Sequence, residues 1–131
     1  MNCVLDASAA FEIAFNGAES EKMRSLVEQA DVVYAPHLYI AEVSNVLWKY
    51  VQGGFVSERD AQTTLVLALQ YVDLFIDCGE NAVESLHEGN RLKHSIYNMF
   101  YFTLARRNSA LLLTKDKKLK MLAKKEGVET A

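Results

Sequence analysis

The chain has 131 residues with a formal net charge of −3; 50% of the residues are hydrophobic and 24% are charged. This length and composition are typical of an ordinary globular domain, so a single domain over residues 1–131 is predicted. No apolar run approaches the roughly 20 residues that a membrane span requires, and the N-terminus lacks the basic and apolar regions of a signal peptide. We therefore expect a cytoplasmic protein that does not span a membrane.

The charge is distributed unevenly along the chain. Residues 1–90 carry 4 basic and 14 acidic side chains, whereas residues 91–131 carry 10 basic and 3 acidic side chains. The C-terminal third is therefore positively charged and suited to an anionic partner, although the whole chain is slightly acidic.

Short apolar segments alternate with amphipathic segments, which indicates alternating strands and helices. The predicted elements of the first half are a strand at 2–5, a helix from about residue 8, a helix over 19–29, a strand at 32–35, a helix from 36 to about 52 and a helix from 57 to about 71. Ser8 and Ser57 are expected as helix N-caps, and Gly53 with Gly54 is expected to end the third helix.

The second half continues the alternation. Its predicted elements are a strand at 73–76, helices over 81–91 and 95–107, a strand at 110–113, a helix over 115–126 and an edge strand at 128–130. Strands that alternate with helices predict an α/β fold, a three-layer α/β/α sandwich whose central sheet is mainly parallel and has about four to five short strands.

Carboxylates follow three of the predicted strands. Asp6 comes directly after the first strand, Glu42 lies in the early turns of the helix after the second, and Asp116 follows the fourth. In parallel α/β sheets ligands bind beyond the carboxyl ends of the strands. Because Mg²⁺ and Mn²⁺ prefer carboxylate oxygens, this arrangement predicts a site for one of these cations.

Each of these acids also has a purely structural explanation. Asp6 and Asp116 could serve only as N-caps of the helices that follow them, and Glu42 could complement the helix dipole. The combination is more specific than any single member, because all three lie at the same predicted edge of the sheet.

Asn98 is an unusual residue for its position. The helix over 95–107 is apolar almost all round and is predicted to be buried, where an unpaired amide is costly. Asn98 is therefore either a hydrogen-bonded structural amide or a member of the acidic site, as a neutral oxygen ligand or a partner of Glu42 or Asp6.

Four segments together resemble the PIN-domain ribonucleases, especially the VapC-like toxins of toxin–antitoxin pairs. They are Val4–Ala9 (VLDASA), Ala41–Leu47 (AEVSNVL), Ile96–Ala105 (IYNMFYFTLA) and Leu112–Leu119 (LLTKDKKL). The segments occur in the family's order and at similar spacing, so the resemblance covers essentially the whole chain. It implies a PIN-like fold and Mg²⁺- or Mn²⁺-dependent endoribonuclease activity, in which a metal-activated water hydrolyses RNA phosphodiesters.

The resemblance also implies roles for individual residues and for partners. It implies a catalytic set of Asp6, Glu42, Asn98 and Asp116, with Asp6, Glu42 and Asp116 as metal ligands and Ser8, Asn45 and Thr114 as supporting residues. The implied partners are a small antitoxin protein and a second copy of the chain in a homodimer. Asn98 stands where most members have Asp, so the alternative is a catalytically weakened or inactive PIN-like binding or regulatory module.

Basic side chains near the C-terminus are candidates for RNA phosphate contacts. They are Arg106, Arg107, Lys115, Lys117 and Lys118. Such contacts supply affinity that is independent of base sequence. The alternative is a solvated outer face of an amphipathic helix.

Other site classes lack their sequence features. A phosphoaspartate-forming hydrolase usually has a second acid two residues after its nucleophile, but Ser8 occupies that position. No glycine-rich dinucleotide motif follows the first strand, and the chain has no CxxC or Cys/His cluster for zinc.

Overall fold

The structure is a computed structural model that describes residues 1–131. Its centre is a four-stranded sheet in the order β3-β2-β1-β4, in which every neighbouring pair is parallel. The strands are β1 (Asn2–Leu5), β2 (Val32–Pro36), β3 (Leu74–Ile76) and β4 (Leu111–Leu113). The prediction of a parallel sheet of short strands is confirmed.

Seven α-helices flank the sheet and complete the predicted α/β/α sandwich. They are α1 (Ala7–Ala14), α2 (Ser20–Gln29), α3 (Leu38–Gln52), α4 (Glu58–Gln70), α5 (Ala82–Leu92), α6 (Ile96–Arg107) and α7 (Lys117–Lys125). A short 3-10 helix at Cys78–Glu80 precedes α5. None of the helices has the length and apolarity needed to cross a bilayer.

Helix α6 contributes more buried residues than any other element. It packs against β1, β2 and β4, and its Tyr101, Phe102 and Leu104 are almost completely buried. The prediction that this helix is buried is wrong for its first turn, because Tyr97 is 59% exposed there. The helix enters the core only after that turn.

Two local predictions at helix and strand ends are wrong. The N-cap of α1 is Asp6 and not Ser8, because Asp6 lies closer to the end of β1 and its side chain accepts a hydrogen bond from the Ala9 amide. Pro36 ends β2 and does not open α3, because the sheet pairing continues to the amide of His37, which donates to the carbonyl of Ile76. The predicted Ser57 cap of α4 is confirmed.

The predicted edge strand at 128–130 is reduced to one isolated bridge between Leu112 and Thr130. Backbone hydrogen bonds join Leu112 to Glu129 and Ala131, and Thr114 to Ala131. The short C-terminal segment therefore pairs with the outer edge of β4 without forming a regular strand.

The packing of α7 can be tested by comparing a buried and an exposed apolar residue on this helix. Leu119 is completely buried, whereas Met121 is 74% exposed on the same helix. We expect Leu119→Ala to lower the free energy of unfolding by about 2–5 kcal/mol, because it leaves a cavity. Met121→Ala should change it by less than about 0.5 kcal/mol. Urea unfolding of both variants measures the difference, and equal losses would contradict the packing of α7.

Candidate active site

Asp6 lies between β1 and α1 and is only 5% exposed. Its Oδ1 accepts hydrogen bonds from Ser8 Oγ at 2.7 Å and from the Ala9 amide at 2.9 Å. Burial raises the pKa of Asp6 to about 6; hydrogen bonds from Thr114, Ser8 and Ala9 oppose this rise, and the Glu42 carboxylate adds to it. Asp6 is therefore a buried acid in a fixed orientation, with a second carboxylate nearby.

Glu42 projects from α3 and is held by a side chain of α6. Its Oε1 accepts a hydrogen bond from the hydroxyl of Tyr101 at 2.6 Å. Burial raises the pKa of Glu42, and the hydrogen bond from Tyr101 only partly offsets the rise. Burial also raises the pKa of Tyr101, and the Glu42 and Asp6 carboxylates raise it further, so the phenol stays protonated as a donor.

Asp116 caps α7 in the way that Asp6 caps α1. Its Oδ1 accepts a hydrogen bond from the Leu119 amide at 3.0 Å, and its Oδ2 accepts one from Asn98 Nδ2 at 3.3 Å. Asn98 Nδ2 also lies 3.1 Å from Nε2 of His94. The expected pairing of Asn98 with Glu42 or Asp6 is therefore not what the structure shows, because α6 directs this amide toward the loop after β4.

Ser8 and Thr114 connect the loops that follow β1 and β4. Ser8 Oγ accepts a hydrogen bond from the Lys115 amide at 2.8 Å and lies 3.4 Å from Thr114 Oγ1. Thr114 Oγ1 in turn accepts a hydrogen bond from the Asp116 amide at 3.0 Å. The two predicted supporting residues thus join the Asp6 and Asp116 loops, whereas the third, Asn45, is exposed on α3 and makes no side-chain hydrogen bond with the site.

The donor chemistry of the site fits a hard divalent cation. No three carboxylate, histidine or cysteine side chains stand close enough to hold one ion among them. Mg²⁺ does not require such a cage, because it keeps several waters and is usually bound through one or two carboxylates. Asp6 is buried and Glu42 is half-buried, and burial raises the pKa of both carboxyl groups. A cation bound between them would offset the cost of their burial and their mutual repulsion. A hydrated Mg²⁺ or Mn²⁺ fits these residues.

The structure separates the predicted phosphate-binding residues into two sets. Arg106 pairs with Glu84 at 2.7 Å, and Arg107 pairs with the same carboxylate at 2.6 Å. Both arginines lie at the far end of α6 from Asn98 and are paired with a carboxylate, and their contact with RNA stays a prediction. The carboxylates of α5 neutralise them and tie α5 to α6.

The lysines of the second set lie beside Asp116. Lys115 pairs with Glu19 at 3.3 Å and with Glu12 at 3.9 Å. Lys117 and Lys118 are exposed in the first turn of α7 and make no ion pair. These two lysines are therefore the members of the predicted set that are free to contact an anion near the acidic site.

Tyr101 is a site residue that was not predicted from the sequence. The sequence feature that could have indicated it is its position three residues after Asn98, because this spacing places both side chains on one face of a helix. Nothing in the sequence shows that Glu42 is its partner, because the two residues lie 59 positions apart.

Fold and site together define a class of protein, an α/β domain with a buried acidic site at the carboxyl edge of a parallel sheet. Comparisons with known proteins specify the family. The model of the PIN domain family matches residues 3–125. Ribonuclease VapC1 of Mycobacterium tuberculosis is 30% identical over 120 residues, which are 89% of this chain and 87% of that protein. The chain therefore belongs to the PIN domain family.

Solved structures show the same fold. PAE2754 from Pyrobaculum aerophilum matches with a TM-score of 0.74 and 23% identity, over 99% of this chain and 83% of that chain. VapBC2 from Rickettsia felis, bound to a DNA fragment from its promoter, matches with a TM-score of 0.65 and 16% identity, over 92% of each chain.

The burial of Asp6 predicts a dependence of stability on pH. Folding raises the pKa of Asp6 from 3.8 to about 6, so its contribution is fully present below the unfolded value and is lost as the pH rises through the folded value. Asp6→Asn keeps a good N-cap and removes the charge. In cation-free buffer we expect it to raise the free energy of unfolding at about pH 7 by on the order of 3 kcal/mol relative to wild type.

At about pH 4 the same substitution should have little effect, because folded wild type then carries a mostly protonated Asp6. Urea unfolding at both pH values measures the difference. Asp77→Asn is the matched control, because Asp77 also caps a helix but is exposed. An effect of Asp6→Asn that is equal at both pH values would contradict the burial of this carboxylate.

Proposed function

We propose that this protein is a divalent-cation-dependent endoribonuclease, the toxin component of a toxin–antitoxin pair. The observation that carries the proposal is the pair of carboxylates at the carboxyl edge of the sheet, the buried Asp6 and the half-buried Glu42. Membership of the PIN domain family supports it, as does the 30% identity with a protein named as a ribonuclease.

In the proposed reaction the protein binds and orients the reacting groups. Asp6 and Glu42 are the proposed principal ligands of Mg²⁺ or Mn²⁺, and Asp116 is the third acid of the site. When bound, the cation would lower the pKa of a water molecule and polarise a phosphoryl oxygen, the two effects that hydrolysis of an RNA phosphodiester needs. Ser8 and the Ala9 amide bind Oδ1 of Asp6 and so hold the carboxylate in one orientation.

Lys117 and Lys118 are the proposed contacts to the RNA backbone. Both are exposed, neither is paired with a carboxylate, and both follow Asp116 directly. Their ammonium groups can bind phosphates on either side of the cleaved bond without reading the bases.

Asn98 supports a second candidate function, a weakened or inactive PIN-like binding module. Its amide donates to Oδ2 of Asp116 at 3.3 Å, so Asp116 is satisfied without a cation. An aspartate at the same position would put two like charges at this distance, which favours cation binding. Asn98 therefore weakens cation binding at the Asp116 side of the site, while the Asp6 and Glu42 side is unchanged.

Cleavage of structured RNA in Mn²⁺ or Mg²⁺ distinguishes the two candidates. We expect wild type to cleave, Asp6→Ala to abolish cleavage, and Asn98→Asp to increase the rate because it adds a carboxylate. If wild type is inactive and Asn98→Asp is active, the binding module is the correct function. Cleavage that survives Asp6→Ala would reject the site assignment.

The proposed protein partners are a small antitoxin and a second copy of the chain. Large apolar side chains are exposed on α3 and the turn after it, where Trp48 is 59% and Phe55 is 81% exposed. Exposed aromatic side chains in a group are typical of protein–protein contact surfaces. The structural likeness to VapBC2 from Rickettsia felis supports an antitoxin partner for this chain as well.

The proposed homodimer can be tested by the mass of the purified protein in solution. We expect light scattering after size exclusion to give twice the 14.7 kDa mass of one chain. A single-chain mass at micromolar concentration would contradict the dimer. That result would leave the nuclease proposal unchanged, because the acidic site lies within one chain.

A further inference from the structure

Tyr101 is a buried residue that touches the acidic site but has no role in the mechanism described above. It is 1% exposed in the middle of α6, and its hydroxyl donates to Oε1 of Glu42 at 2.6 Å. A hydroxyl that donates to an ionised carboxylate makes a short and strong hydrogen bond. The contact is long-range in sequence, so it links two separate helices, α3 and α6.

Glu42 needs such a partner to hold one conformation. Its carboxylate stands at the end of a side chain with several rotatable bonds, and only Tyr101 donates a side-chain hydrogen bond to it. The bond engages Oε1, and Oε2 accepts no hydrogen bond. Asp6 is held in the equivalent way, with Oδ1 engaged by Ser8 and Ala9.

We propose that Tyr101 is a positioning residue that orients Glu42 toward a divalent cation shared with Asp6. This inference rests on the proposed function, because it assumes that Glu42 is a ligand of the cation. Tyr101 does not itself touch the cation or the RNA. Partners that orient a metal-binding side chain typically contribute 10-fold to 100-fold to metal affinity or activity.

Tyr101 shares helix α6 with a second residue that binds an acid of the site. Asn98 lies three residues earlier on the same helix and donates to Asp116. One helix, packed against β1, β2 and β4, therefore holds Glu42 through one side chain and Asp116 through another. A shift of α6 would therefore displace the hydrogen-bond partners of both acids together.

Tyr39 provides a matched control for the loss of a buried hydroxyl. It is completely buried, and its hydroxyl donates at 2.7 Å to the carbonyl of Ala68 in α4. Tyr39→Phe therefore removes the same atom from the same kind of surroundings without removing a hydrogen bond to a carboxylate. Any general cost of losing a buried hydroxyl appears in both variants.

The experiment measures Mn²⁺ binding to the full chain by calorimetry without RNA, and then RNA cleavage. We expect Tyr101→Phe to weaken Mn²⁺ binding by about tenfold and to lower kcat with little change in the KM for RNA. Tyr39→Phe should bind Mn²⁺ as wild type does. Urea unfolding of each variant identifies any loss that comes from stability alone.

A double-mutant cycle tests whether Tyr101 acts through Glu42. In the Glu42→Ala background, Tyr101→Phe should cause no further loss of Mn²⁺ affinity. Wild-type affinity in Tyr101→Phe, an equal loss in Tyr39→Phe, or an additive loss in the double variant would overturn the proposal.

The outcomes separate this proposal from the nuclease proposal. Weakened Mn²⁺ binding in Tyr101→Phe together with a wild type that does not cleave RNA would support the role of Tyr101 and reject the nuclease. Cleavage and Mn²⁺ binding that are both unchanged in Tyr101→Phe would reject only the role of Tyr101. A wild type that does not bind Mn²⁺ would reject both.

Discussion

The burial of one carboxylate, Asp6, is the constraint around which the site is arranged. A charge in the interior is costly, and the hydrogen bonds from Ser8, Ala9 and Thr114 reduce this cost only in part, since the pKa of Asp6 remains raised to about 6. Ser8 and Thr114 also contact the loop that carries Asp116. Side chains that bind Asp6 therefore also join the loops that follow β1 and β4. A bound cation would compensate the charge of Asp6 that these hydrogen bonds leave unbalanced.

Helix α6 carries the side chains that hold the other two acids of the site, Glu42 and Asp116. Its apolar face packs on the sheet, and its first two turns direct Asn98 toward Asp116 and Tyr101 toward Glu42. At its far end, the arginines pair with carboxylates of α5 and fix the helix on the opposite side. Core packing, ion pairing and site geometry thus depend on one element, so a shift of α6 would alter the positions of both acids.

The sequence predicted those features that depend on local pattern. The strands, the parallel sheet and the placement of Asp6, Glu42 and Asp116 at strand ends all follow from short-range periodicity. It could not predict contacts between distant segments, such as the partner of Tyr101 or the pairing of Arg106 with Glu84. It left two candidates for the N-cap of α1, Asp6 and Ser8, and the residue nearer the strand caps the helix.

The central claim is that Asp6 and Glu42 together bind a divalent cation. The most direct measurement is anomalous diffraction from crystals soaked in Mn²⁺, with data collected near the manganese absorption edge. The account predicts one strong anomalous peak within coordinating distance of carboxylate oxygens of both residues, about 2.0–2.3 Å. A strong peak elsewhere on the chain, or no peak beside these two carboxylates at millimolar Mn²⁺, would contradict it.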